Sequence, residues 1–130
     1  MAWTRRAAEG AVAAGAPERV VIPGDWNNVS VCCGVAGQAR FFLSMYRLTK
    51  ERRYFDLATR ATAMLLVRAS TDADGSRWIQ AENRKQPEQV MAQTGLMQGA
   101  SGIGLWLLHA AAFRDGKELP MIVLPDDPFE

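Results

Sequence analysis

Two similar segments decide the fold: VCCGVAG at residues 31–37 and LMQGASG at residues 96–102. Each places a Gly-x-x-Gly pattern directly before an apolar run, which is FFL at residues 41–43 and WLL at residues 106–108. Corresponding residues of the two segments lie 65 positions apart. A glycine turn that precedes an apolar helix twice indicates an internal repeat, and helical repeats stack into α/α rings or solenoids.

Helical spacing extends outward from both segments. Apolar residues predict a helix from about Gly34 to Leu48, and residues 51–69 carry one apolar face at steps of three and four. A third helix is expected from about Gly99 to Phe113. Because the joint at Thr49–Lys50 is short, the first two helices should form an antiparallel hairpin. We predict an all-α fold, an incomplete α/α toroid of inner and outer helices with short rim loops.

The parts of the chain outside these helices are less regular. Residues 3–14 are rich in alanine and predict a short helix. We therefore divide the chain into an N-terminal helix and connector, residues 1–29, and toroid repeats, residues 30–130. Residues 77–82 are expected to form a short strand or a rim loop that Trp78 anchors.

Composition excludes several classes of protein. Hydrophobic residues make up 48% and charged residues 22%, as in soluble globular proteins. The net charge of +1 argues against nucleic acid or a membrane surface as a partner. Apolar runs stay well short of the ~18 residues of a membrane span, and the N-terminal stretch is too polar for a signal peptide. A cytoplasmic protein is expected.

The two cysteines, Cys32 and Cys33, are adjacent, so a disulfide between them would strain the peptide. They precede a helix, whose positive N-terminal end favours the thiolate, the form that binds metal or attacks electrophiles. Soft sulfur ligands suit Zn²⁺. One metal ion needs more ligands than two neighbours provide, so chemistry alone favours two small buried residues in a tight loop.

The same segments resemble motifs of the lanthionine synthetase C-like family. Residues 31–37 resemble its Cys-His-Gly-x-Ala-Gly motif, and residues 95–104 resemble its final Gly-Leu-Met-x-Gly-x-Ala-Gly-Ile-Gly helix start. Residues 53–58 resemble the Arg-Tyr-Leu-x-Leu-Ala of an outer helix, and residues 124–129 resemble the tails of family members. The resemblance covers about residues 30–129 and implies the C-terminal portion of a helical ring around a central zinc ion.

The family's activity is implied in the same way. Zinc binds the thiol of a peptide or small-molecule substrate and lowers its pKa, and the thiolate adds to dehydroalanine or dehydrobutyrine to form a thioether. Cys32 matches the family's cysteine ligand, and Cys33 stands where histidine is usual. The family's Trp-Cys-x-Gly ligand and its acid/base histidine lie upstream and have no match here. We expect an incomplete zinc site, no assignable catalytic residue, and a chain that is inactive alone, whether it forms a homo-oligomer or lacks an N-terminal portion.

Three further residues are candidates for substrate contact. Glu82 and Asn83 belong to the expected rim loop, and Gln98 takes the place of a metal ligand in the second repeat. A solvated loop and a helix-capping role are the alternatives for these residues. His109 lies in an apolar helix and is interpreted as a core or groove residue rather than a catalyst.

Two other functions remain open. A non-catalytic interaction module that uses the concave face of a toroid agrees with the missing ligands. A glycan-active α/α toroid enzyme would need two placed carboxylates, for which Glu82 and Asp72 are a poor candidate pair.

Overall fold

The computed structural model describes residues 2–18, 28–83 and 85–117. Within these ranges the chain forms four α-helices and two β-hairpins. The helices are α1 (Ala2–Ala13), α2 (Val35–Thr49), α3 (Arg52–Val67) and α4 (Ala100–Arg114), and the strands are β1 (Ser70–Asp72), β2 (Gly75–Arg77), β3 (Ile79–Asn83) and β4 (Gln86–Ala92). The tail motif at residues 124–129 lies outside the described residues.

The helices confirm the prediction from apolar spacing, each within two residues of its expected bounds. Lys50 ends α2 in the left-handed conformation, with φ of 59°, and its amide donates to the carbonyl of Tyr46 at 2.8 Å. Glu51 then precedes α3 in an extended conformation. This two-residue joint turns the chain back on itself, so α2 and α3 form the expected hairpin.

The core lies between α2, α3 and α4. Phe42 stacks on Tyr54 with ring centroids 6.4 Å apart, and both side chains are fully buried. Trp106 of α4 is also buried, and its Nε1 donates to Thr62 Oγ1 of α3 at 3.1 Å. Burial of each such side chain contributes about 1.5–3 kcal/mol, which is why these three helices hold together.

Helix α1 packs on this core through Ala8, which is fully buried. Ion pairs attach the same helix to the start of α3: Glu9 pairs with Arg53, and Arg5 pairs with Glu51 at 2.9 Å. Partly exposed pairs of this kind add little stability each. None of the helices in the described part of the chain has both the length and the hydropathy needed to cross a membrane.

The strands correct the all-α prediction, which is wrong for residues 70–92. β1 pairs antiparallel with β2, and β3 pairs antiparallel with β4, so the fold is mostly helical with two small sheets. The expected strand at residues 77–82 is part of this structure, whereas β4 was not predicted. Every residue of β4 is exposed and Pro87 lies within it, so neither burial periodicity nor strand propensity marks the segment.

Candidate functional site

The two cysteines lie in a turn that leads into α2. Its scaffold is Asn28, whose Oδ1 accepts hydrogen bonds from the Ser30 amide at 2.8 Å and from the Ser30 hydroxyl. The Ser30 hydroxyl oxygen accepts in turn from the Cys33 amide at 3.4 Å. Asn28 and Ser30 are fully buried, so this network holds the turn in one conformation.

The first amides of α2 and α4 are satisfied in the same way, by carbonyls of the preceding turn. The four bonds run from Val35 N to Asn28 O, Ala36 N to Val29 O, Ala100 N to Gln93 O and Ser101 N to Thr94 O, at 2.9–3.3 Å. In these bonds each donor and acceptor of the α4 turn lies 65 positions after its counterpart in the α2 turn. The internal repeat is therefore confirmed as a repeated backbone structure.

The second glycine of each turn has no room for a side chain, because a backbone carbonyl of the turn lies too close to its Cα. A Cβ on Gly37 would lie 2.2 Å from the carbonyl oxygen of Val31. A Cβ on Gly102 would lie 1.9 Å from the carbonyl oxygen of Leu96. The Gly-x-x-Gly pattern thus has a steric cause in both copies.

The two turns are joined to each other and to the β3–β4 hairpin. The Cys32 amide donates to the Met97 carbonyl at 2.9 Å. The buried side chain of Gln80 accepts from the Val29 amide at 3.0 Å through Oε1 and donates to the Gln98 carbonyl through Nε2. Gln80 is thus a positioning residue that sequence reasoning left in the rim loop. Its only signal in the sequence is that it lies two residues after Trp78, the spacing of residues on one face of an extended chain.

The thiols of Cys32 and Cys33 lie side by side before α2, as expected. Their Sγ atoms are 3.1 Å apart, both residues are exposed, and both are free cysteines. The hydrogen bond from Cys33 to Cys32 raises the pKa of Cys33, and partial burial and the charge of Cys32 act in the same direction. The pKa of Cys33 is therefore raised, opposite to the lowering that we expected from the helix end.

The other predicted site residues lie on the elements that join the turns. Glu82 is exposed on β3, and Asn83 pairs with Gln86 in the hairpin register. Gln98 precedes α4, and its Oε1 is buried with no hydrogen-bond partner in the described part of the chain. The structure therefore joins the Gln98 turn to the cysteine turn, whereas Glu82 belongs to a solvent-exposed hairpin that buried Trp78 anchors.

The cysteine pair fits a metal ion as part of its ligand set. A tetrahedral zinc with two thiolates at its usual bond length holds the sulfurs roughly 3.8 Å apart, which a small side-chain rotation supplies. No group of three His, Cys, Asp or Glu side chains among residues 2–18, 28–83 and 85–117 could share one ion. If zinc bound here, the described residues would supply two of its four ligands.

His109 lines a cleft between α2 and α4, in agreement with its interpretation as a groove residue. Partial burial, followed by the positive charges of Arg40 and Arg47, lowers the pKa of His109 below its ordinary value.

Comparison with known proteins agrees with this geometry. A family model described as "Lanthionine synthetase C-like protein" matches residues 13–124 of the 130-residue chain. Neither the curated proteins nor the solved structures provide a match. The matched region contains the cysteine turn, its repeat before α4, and the hairpin that joins them. Since the match spans most of its length, the chain belongs to the lanthionine synthetase C-like family.

Proposed function

We propose that this chain is the C-terminal portion of a zinc-dependent, lanthionine synthetase C-like protein that activates the thiol of a peptide or small molecule for addition to dehydroamino acids. The observation that carries the proposal is the pair Cys32 and Cys33, held 3.1 Å apart at a repeated glycine turn in a member of this family. Zinc bound there would lower the pKa of a substrate thiol, so that the thiolate could attack.

The chain's own residues would hold and orient that ion. Cys32 and Cys33 would be two of its ligands, with more negative charge than a Cys–His pair and hence a more nucleophilic bound thiolate. The Asn28–Ser30 network and Gln80 would keep both sulfurs in place. The remaining ligands and the proton-transfer residue would come from donors outside the described residues, in another part of the protein or in a second chain.

The helices support an incomplete ring. α2 and α4 would be inner helices, because both begin at the repeated turn, and α3 would be an outer helix. α4 is apolar on all sides, yet only Gly102, Ile103 and Trp106 are buried along it. A groove of about 430 Å³ between α3 and α4 is lined by apolar side chains, including Leu66 and Leu107. Ring neighbours would cover these surfaces.

A non-catalytic interaction module is the second candidate function. The observation that favours it is the ligand set, since the two adjacent sulfurs share no ion site with a third His, Cys, Asp or Glu among the described residues. Both candidates predict the same fold. They differ in whether zinc binds with an affinity that depends on Cys32.

Zinc content tests the proposal. Protein purified without chelator should contain little zinc as a monomer, because two ligands leave half of the shell to water or buffer. Stoichiometric zinc should appear when an assembly or the upstream portion completes the site, and only the completed form should produce thioethers. Cys32→Ala should remove this zinc, whereas Met97→Ala, at the equivalent position of the second turn, should retain it.

Two results of the elemental analysis would contradict the proposal. Tight zinc in the monomer that survives Cys32→Ala would place the metal on other residues. A completed assembly without zinc, and without thioether formation, would favour the interaction module.

A further inference from the structure

A second site is visible in the cleft of about 290 Å³ between α2 and α4, which the cysteines do not line. Its polar wall is one face of α2, where Arg40, Ser44 and Arg47 follow each other at steps of four and three. His109 of α4 faces them, beside the apolar side chain of Trp106. Polar donors thus line one side of the cleft, and apolar atoms line much of the other.

The glycine turns shape this cleft. Val31 packs into the space beside Gly102, where its Cγ2 would lie 2.8 Å from a Cβ at that position. The turns therefore draw α2 and α4 together near Gly37 and Gly102. Further along the helices, the longer side chains of Arg40, Arg47 and His109 line open space.

Arg40 and Arg47 differ from the arginines of α3. Within the described part of the chain neither is paired with a carboxylate, whereas Arg52 of α3 pairs with Asp56 and Arg60 with Glu18. Arg47 in addition has a buried donor, because its Nε has no hydrogen-bond partner among the described residues. A buried N–H without an acceptor costs about 1–3 kcal/mol, so an anion that supplied the acceptor would be favoured.

We infer that this cleft binds a small carboxylic acid with an apolar body. The carboxylate accepts hydrogen bonds from Arg40, Arg47 and the Ser44 hydroxyl, and arginine forks suit carboxylate oxygens. The apolar body packs against Trp106 and Leu105. The volume of about 290 Å³ is close to the smallest usual for small-molecule sites, which favours a small acid. This inference is independent of zinc and of the proposed function.

The sole histidine of the chain provides a direct readout, because His109 gives the only imidazole signal in a proton NMR spectrum. 3-Phenylpropionate should bind and raise the pKa of His109 by about one unit, since its negative charge offsets the two arginines. The neutral isostere 3-phenylpropanamide should leave that pKa unchanged. Inorganic phosphate, an anion without an apolar body, should bind at least tenfold more weakly than 3-phenylpropionate.

Two arginine variants distinguish binding in the cleft from an effect of net charge on binding. Arg40→Gln should weaken 3-phenylpropionate binding at least tenfold, the loss of one charge-assisted hydrogen bond. Arg52→Gln removes the same charge from the surface of α3 and should leave binding unchanged. Ser44→Ala, a change at an exposed position, provides a second test if Arg40→Gln does not fold. Equal binding of acid and amide, equal binding of phosphate and acid, or equal loss in Arg40→Gln and Arg52→Gln would each overturn the inference.

Discussion

Gly37 and Gly102 occupy equivalent positions, as the third residue of α2 and of α4. A side chain at Gly37 would overlap the carbonyl of Val31, and a side chain at Gly102 would overlap the carbonyl of Leu96. Gly104 lies in the same helix as Gly102, but a Cβ there would meet nothing within 4 Å. Glycine is therefore obligatory at Gly102 for steric reasons and is dispensable at Gly104.

This difference predicts opposite effects of one substitution. Gly102→Ala should lower the free energy of unfolding by about 1–3 kcal/mol, because the backbone must shift to admit the methyl group. Gly104→Ala should raise it by about 0.5–1 kcal/mol, because alanine loses less backbone entropy in a helix. Urea denaturation of both variants measures the difference. Equal effects would show that the close approach at Gly102 is not maintained in solution.

At the scale of elements, the β3–β4 hairpin matters through one side chain. β4 is exposed along its whole length, but Gln80 of β3 is buried and bonds to both glycine turns. Trp78 anchors the start of β3 by donating from Nε1 to the Leu65 carbonyl at 2.7 Å. The hairpin is thus a clamp that holds the cysteine turn against the turn before α4.

Removal of the side-chain amide of Gln80 should weaken the contact between the two glycine turns. Gln80→Met keeps the side-chain volume but leaves the Val29 amide and the Gln98 carbonyl without their partner. The free energy of unfolding should fall by about 2–4 kcal/mol, the cost of two unsatisfied buried groups. Gln89→Met makes the same change on the exposed strand β4, where about 0.5 kcal/mol or less is expected. A similar effect of both variants in thermal denaturation would contradict the clamp.

At the scale of the whole molecule, large apolar side chains remain exposed on α3 and α4. Leu108 of α4 is 64% exposed, and Leu66 of α3 is 59% exposed. Leu66 also lines the apolar groove between α3 and α4. An exposed apolar groove of this kind indicates an interaction site.

We therefore expect the isolated chain to form a dimer or a larger assembly, with one copy covering the groove of another. Leu66→Glu should dissociate it, because a carboxylate in an apolar interface is costly to desolvate. Leu48→Glu is the control, since Leu48 is equally exposed at 59% but does not line the groove. Light scattering over a range of concentrations measures both. A wild-type chain that stays monomeric at high concentration contradicts the prediction.

The helices, the repeat and the position of the cysteines were predictable because each depends on residues that are close in the chain. Apolar residues at helical spacing identify α2 to within two residues of its bounds, and the glycine turn that orients it is built by carbonyls only seven residues away. The family follows from the same local motifs. Zinc binding stays a proposal. Cys32 and Cys33 are adjacent in any fold, whereas the further ligands that a zinc ion needs would come from distant parts of a chain.

Contacts between residues far apart in the chain decide the features that the sequence did not predict. β4 has no apolar periodicity, so its pairing with β3 appears only in the folded chain. The Cys33 pKa depends on the orientation of the sulfurs, which local sequence does not specify. Arg40 and His109 are 69 positions apart, and nothing in either segment indicates that they line one cleft. Backbone hydrogen bonding over a few residues makes helices and turns readable from sequence, whereas side chains meet across elements only where packing places them.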